Sequence, residues 1–335
     1  MNVQARAREY LELFFEPLAP YLCQTDVTDL VINRPGEVWL ERQGSVFERI
    51  ADERLTEDHL WRLARQIAAA THQGLGREQP LLSARLTDDI RVQIACPPAT
   101  RETIAFSFRK HSAAELDIDA FSSISSSPSS ASYVSSEQHL SDNLRATFQR
   151  SDWPAFLRLA ATGRLTMLIS GGTSTGKTTF LNALLREVDL AERIVLIEDA
   201  PEISLKQENS VGLVASRSRW AEAEVTTDDL LIAALRMRPD RIIVGEIRGA
   251  EALTFLRAVN TGHAGSLSTI HANSAKQAVE QLVLMCANAG SRLSRRDIAA
   301  YIRSTIDVFV HLKRKDGHRT IDHVDWAGSP TSSAS

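Results

Sequence analysis

Nine consecutive residues, Gly171, Gly172, Thr173, Ser174, Thr175, Gly176, Lys177, Thr178 and Thr179, are of types that can grip a phosphate. The first eight fit the spacing G-x-x-x-x-G-K-[ST]. Glycines let a backbone curl so that several N–H groups face one point, and a helix starting there adds partial positive charge. A lysine at position 177 can reach the outer phosphates of a nucleotide, and a hydroxyl at 178 can ligate Mg²⁺.

Gripping a phosphate is not hydrolysing it. A carboxylate must hold the metal, and another must orient or deprotonate water. Two apolar runs end in acids: Ile197-Glu-Asp-Ala-Pro-Glu202, which offers Glu198 and Glu202, and Ile242-Ile-Val-Gly-Glu246. A third block, Gly262-His-Ala-Gly-Ser-Leu-Ser-Thr-Ile-His271, sets small residues around two histidines. A metal centre is not expected there, since no cysteine or third histidine lies nearby. An imidazole beside a terminal phosphate could instead donate a hydrogen bond and report its loss.

These residues need elements to hold them. Leu165–Ser170 reads as a strand feeding the glycine-rich turn, and Phe180–Glu187 as the helix after it. Arg193–Glu198 and Arg241–Gly245 read as further buried strands, with a helix over Leu230–Met237 between them. Such alternation implies a mostly parallel sheet flanked by helices, with ligands at the carboxyl ends of the strands. The first third of the chain has a different pattern. Residues 30–41 read as strand, turn and strand about Arg34-Pro-Gly36; 56–73 as a helix; 90–95 and 103–108 as alternating strands. Residues 3–22 show helical spacing of Tyr10, Leu11, Phe14, Phe15 and Leu18. That pattern suits a helix packed on its own domain or, alternatively, a surface touching a membrane or partner.

Between the two patterns, residues 121–136 are mostly serine, a composition that cannot bury enough apolar area to offset its ordering entropy. The expected division is therefore an α+β domain over 1–112, a serine-rich linker region over 113–150, an α/β domain over 151–327 and a disordered tail over 328–335. A length of 335 residues accords with two domains. The net charge of −4 carries no basic excess to advertise nucleic acid, and no direct nucleic-acid binding is expected. Cys23, Cys96 and Cys286 are too scattered for a disulfide framework and fit a reducing cytoplasm. No apolar run approaches the length that spans a bilayer.

Taken together, Gly171–Thr178, the block 197–202, the block Leu235-Arg-Met-Arg-Pro-Asp-Arg-Ile-Ile-Val-Gly-Glu-Ile-Arg-Gly249 and the block 260–271 resemble the Walker A, Asp box, Walker B and His box of the secretion-superfamily ATPases. The VirB-type traffic ATPases of type IV secretion and conjugation machines are the closest resemblance. Val27–Glu41, Arg91–Pro98 and Ser107–Lys110 are similar to that family's first domain.

The resemblance implies an α/β, RecA-like P-loop ATPase domain behind a smaller α+β domain, and ATP and Mg²⁺ as cofactors. It implies roles residue by residue. Lys177 and Thr178 bind phosphate and Mg²⁺. Glu202 polarises the attacking water, with Glu198 as the competing choice. Glu246 acts on Mg²⁺ directly or through water, the usual Walker B aspartate position being Gly245. His271 senses the γ-phosphate, and Arg91 and Arg109 reach ATP from the first domain. It further implies a homohexameric ring working on inner-membrane components of a secretion machine. The expected location is the cytoplasm, with the inner-membrane surface as the alternative. A motor for a type IV-like pilus or another secretion machine keeps the same chemistry; a DNA-processing ATPase or helicase, and an assembly protein that scarcely hydrolyses, are the rivals of other classes. One departure stands out: Ser174 occupies a position where the family often has glycine.

Overall fold

The structure is a computed structural model that describes residues 13–43, 45–86, 90–110, 128–216, 223–315 and 318–329. In chain order, the first part contains helix α1 (Ala19–Leu22), strands β1 (Val27–Ile32), β2 (Glu37–Arg42) and β3 (Glu48–Ala51), helix α2 (Glu57–Ala70), and strands β4 (Leu81–Arg85), β5 (Ile90–Ala95) and β6 (Ala105–Lys110). Then come helices α3 (Pro128–Gln149) and α4 (Trp153–Thr162), strand β7 (Met167–Gly171) and helix α5 (Lys177–Leu185). They are followed by β8 (Ile194–Glu198), β9 (Ser210–Val214), α6 (Thr227–Ala234), β10 (Arg241–Ile247) and α7 (Glu251–Asn260). The chain continues with β11 (Leu267–His271), α8 (Ala275–Asn288), α9 (Arg295–Thr305), β12 (Val308–Lys315) and β13 (His318–Trp326).

These elements form two compact units: residues 1–112 with 190–263, and residues 113–189 with 264–335. In the first unit an antiparallel six-stranded sheet runs β3-β2-β1-β6-β5-β4. Helix α2 covers it because Leu60, Leu63, Ala64 and Ile67 recur at helical spacing and are all buried. Thr56 caps this helix by accepting from the His59 N–H at 3.2 Å, and Glu57 and Asp58 suit its positive end. Phe106 and Phe108 stack at 5.7 Å within the core they share with these leucines. The same unit holds β8 with β9 and β10 as parallel neighbours on either side. Every residue of β8 is buried, which is why it reads as an unbroken apolar run. Asn33, Asn209 and Arg193 tie the two stretches of this unit together: the wholly buried Arg193 guanidinium donates to Asn33 Oδ1 at 2.7 Å and to Asn209 Oδ1.

In the second unit the order is β13-β12-β7-β11. Strand β7 has parallel partners on both sides, and only β13 runs antiparallel to its neighbour. Phe148, Trp153, Phe156 and Trp326 pack edge-to-face or tilted, at 5.3 to 6.5 Å between ring centroids. They fasten α3 and α4 to the end of β13; each such pair contributes about 1 kcal/mol beyond its buried area.

The α/β class with a mixed, mostly parallel arrangement, and the α+β pattern of the first third, are as expected. Two local readings meet the structure differently. The helix expected over 3–22 lies outside the described residues up to 12. Beyond that it is interrupted at 16–18, where Pro17 and then Pro20 remove N–H donors from the turn. Of the serine-rich stretch, residues 121–127 lie outside the described residues, and from Pro128 the chain is helical. The second half of that helix has Leu144 and Phe148 to bury, and this anchors it. Of the tail expected over 328–335, residues 330–335 lie outside the described residues.

Candidate functional site

The phosphate loop lies between β7 and α5, in the second unit. At its root, a Cβ on Gly171 would stand 2.4 Å from Thr175 Oγ1 and 3.0 Å from the Leu312 carbonyl, so no side chain fits. At its far end Gly176 has φ +89°, the left-handed conformation that glycine adopts without penalty, and it caps α5. The Thr175 hydroxyl donates to the Gly172 carbonyl at 2.9 Å and closes the loop on itself. Ser174 also sits at a positive φ, +61°. The family's frequent glycine therefore corresponds to a backbone shape that this chain adopts with an L-residue, at about 1 kcal/mol of strain.

Lys177 is half-buried, and its ammonium donates to the carbonyls of Gly171 at 3.0 Å and Gly172 at 3.2 Å. This holds a positive charge at the mouth of the loop. Helix α5 has no side-chain cap and no acid in its first turn, so its leading N–H groups and dipole face a site suited to an anion. Among the described residues no group of three or more His, Cys, Asp or Glu side chains could cage a metal. Mg²⁺ characteristically takes one or two protein ligands and completes its shell with phosphate oxygens and water, and Thr178 at the head of α5 suits that pattern.

His271 ends β11 directly opposite Gly171 in register, so the exposed imidazole stands at the same strand edge as the loop. His263 differs: its Nδ1 lies 2.9 Å from the Ala258 carbonyl, a satisfied structural contact within the first unit.

The acidic strand ends fall in the first unit. Glu198 closes β8, is 4 % exposed, and is fully engaged. Its Oε1 accepts from the N–H groups of Glu202 at 3.0 Å and Ile203 at 2.8 Å, while Oε2 pairs with the Arg101 guanidinium. Arg101 also donates to the Ile203 carbonyl at 3.0 Å. The segment carrying it is pinned on β9 by Arg101 N–H to Gly212 O and Val214 N–H to Ala99 O. Glu198 thus shapes the turn that presents Glu202, whose own side chain is exposed. Glu246, half-buried near the end of β10, accepts twice from Arg248, at 2.6 and 2.9 Å, and the same guanidinium reaches Asp199 at 2.7 Å. The hydrogen bond to Glu246 is the main cause that raises the Arg248 pKa. A Cβ at Gly245 would stand 3.3 Å from Glu198 Cγ, so an aspartate there would crowd the buried carboxylate.

Arg91 and Arg109 are directly paired across β5 and β6, so both side chains share one face of the antiparallel sheet. They line a cavity of about 320 Å³ together with Asp29, Arg85, Arg236 and Arg238, an assembly rich in fixed positive charge. Asp29 is 2 % exposed and stands 3.8 Å from Arg109 and 4.0 Å from Arg238. Burial raises its carboxyl pKa, and those two arginines pull in the opposite direction.

The structure therefore brings the loop residues and His271 to one strand edge of one unit, and Glu198, Glu202 and Glu246 to strand ends of the other, where Arg91 and Arg109 face a shared cavity. Sequence reasoning passed over Arg101, Arg248 and Arg319. Arg248 lies two residues past Glu246 in the block already singled out, and that spacing was a usable signal. For the other two, the partners are 97 and 140 residues away.

The model of the type II/IV secretion system protein family matches residues 14–322. The chain belongs to that family. The type IV secretion system protein VirB11 of Bartonella quintana is 34% identical over 316 residues, covering 90% of this chain and 88% of that protein. The PtlH protein of Bordetella pertussis is 35% identical over 323 residues, covering 95% and 94%. The crystal structure of the VirB11 ATPase from the Brucella suis type IV secretion system, in complex with sulphate, superposes with a TM-score of 0.86 at 31% identity over 96% of each chain. Within the type II/IV family the chain is a VirB-type traffic ATPase, a type IV secretion ATPase. No helix among the described residues is long and apolar enough to cross a membrane.

Proposed function

We propose that this chain hydrolyses ATP with Mg²⁺ and that a homohexameric ring of it powers a type IV secretion or conjugation machine. One observation carries the reading: the Lys177 ammonium is held at the mouth of the loop, with His271 in register beside Gly171 at the same edge. Backbone N–H groups from the loop and the head of α5 bind the phosphates, and Lys177 neutralises charge on the outer ones. Thr178 ligates Mg²⁺ and Glu246 acts on it, directly or through water. Glu202 orients the attacking water, and Glu198 holds the turn that carries it. His271 donates to the γ-phosphate and loses that partner on hydrolysis. Arg91 and Arg109 supply positive charge from the first domain. The division into domains 1–112 and 151–327 belongs to the same proposal, as does a cytoplasmic site of action against inner-membrane components.

Steady-state phosphate release tests it. The wild-type chain should turn over ATP, and Lys177→Ala should lower the rate by at least about 100-fold. Wild-type activity in that variant would sink the mechanism. Mass in solution with and without a non-hydrolysable ATP analogue tests the ring: a monomer under both conditions would count against it.

A further inference from the structure

The hairpin of β12 and β13 leans on the phosphate loop, and the proposed chemistry gives it no task. A Cβ on Gly176 would stand 2.7 Å from Arg319 Cδ, so the arginine stem lies against the end of the loop. Its guanidinium Nη1 is 3.4 Å from Thr179 Oγ1, in the first turn of α5. Arg314 is directly opposite Arg319 in the antiparallel register, so both side chains share one face. Like charges placed directly opposite destabilise a strand pair, and an anion held between them and the loop removes that penalty.

Sheet order says which part of a nucleotide this hairpin meets. Strand β7 lies between β11 and β12. His271, the γ-phosphate sensor of the proposed mechanism, stands on the β11 flank, opposite Gly171. Arg319 stands on the other flank and touches Gly176 and Thr179 rather than the loop's root. A polyphosphate running from one flank to the other turns its inner end toward the hairpin. We infer that Arg319, with Arg314 beside it, completes the nucleotide site from the C-terminal hairpin by binding the α-phosphate side of ADP and ATP. Arginine suits the position because its planar fork bonds phosphate oxygens while its stem packs on the loop. This rests on the phosphate-loop reading above.

The test is calorimetric titration of the full chain with Mg-ADP and with Mg²⁺ and a non-hydrolysable ATP analogue. Arg319→Gln keeps most of the stem and removes the charge. It should weaken both nucleotides alike, by roughly tenfold, while the nucleotide-free unfolding midpoint does not fall and, with the like-charge pair removed, rises slightly. Arg319→Lys, which restores a charge without the fork, should fall between. Wild-type affinity in Arg319→Gln would overturn the inference, and so would a loss confined to the triphosphate, which would move the contact to the γ end. Lys177→Ala, titrated alongside, separates the two readings. If it loses affinity while Arg319→Gln does not, only the hairpin's part fails; if neither loses affinity, the phosphate-loop reading fails with it.

Discussion

Arg101 and Glu198 form an ion pair in which the carboxylate is buried and its other oxygen accepts two backbone N–H groups of the following turn. The pair fastens the segment at 99–101 to the end of β8, 97 residues along the chain. Truncating Arg101 would leave a buried, unpaired carboxylate. Arg101→Ala should therefore cost about 3 kcal/mol of stability, read from the denaturant midpoint. A change below about 0.5 kcal/mol would show that water replaces the guanidinium without loss.

The same geometry separates the two glutamates of the Asp box. Glu202 is exposed, whereas both oxygens of Glu198 are occupied. Glu202→Gln should reduce phosphate release by about 100-fold and leave the unfolding midpoint in place. Glu198→Gln should lower the midpoint as well as the rate. The reverse pattern would make Glu198 the water-activating residue.

Ser174, at φ +61°, carries a strain that glycine does not. Ser174→Gly should stabilise the folded chain by up to about 1 kcal/mol, less the flexibility glycine adds to the unfolded state. Thermal unfolding at matched concentration checks this. A lower midpoint would mean that the serine side chain holds the loop.

His311 is buried on β12, with Nδ1 3.0 Å from the Ser170 hydroxyl. Burial holds its pKa below the ordinary histidine value; Asp322 pulls it up, and Lys313 and His323 push it further down. The unfolded chain therefore takes up a proton, near pH 6.5, before the folded one does. This contribution to stability is complete above about pH 6.5 and is lost as the pH falls below it. The unfolding midpoint should drop between pH 7.5 and 5.5, and His311→Gln should flatten that slope. An unchanged slope would assign the pH dependence to other groups.

Much of this was legible in the sequence because the signals were local. The loop at 171–178 announces itself through glycines at fixed spacing, and Ile194–Ile197 through an apolar run that only a strand buried on both faces would need. Strands β5 and β6 and helix α2 show their periods directly, so Arg91 and Arg109 could be placed on strands, though not side by side. Interactions between distant residues were invisible. Nothing near Arg101 marks it as the partner of Glu198, and nothing near Arg319 ties it to Thr179, 140 residues earlier. Pro17 could have warned that the first helix would break. The helical span after Pro128 was hidden because serine-rich composition was weighed by itself, without Leu144 and Phe148, which secure its second half.

The flanking of β7 by parallel neighbours has a mechanical consequence. Its main-chain groups are bonded from both sides as far as Gly171, whereas residues 172–176 hang between that strand and α5. The loop is in effect a noose tied to a fixed post, held by the Thr175 hydroxyl and the Lys177 ammonium rather than by a strand ladder. In deuterium exchange, the amides of Leu168 to Ser170 should be among the last in their unit to be replaced, and those of the loop among the first. Slowing of exchange in the loop alone would then report nucleotide capture on a baseline that the post itself leaves undisturbed.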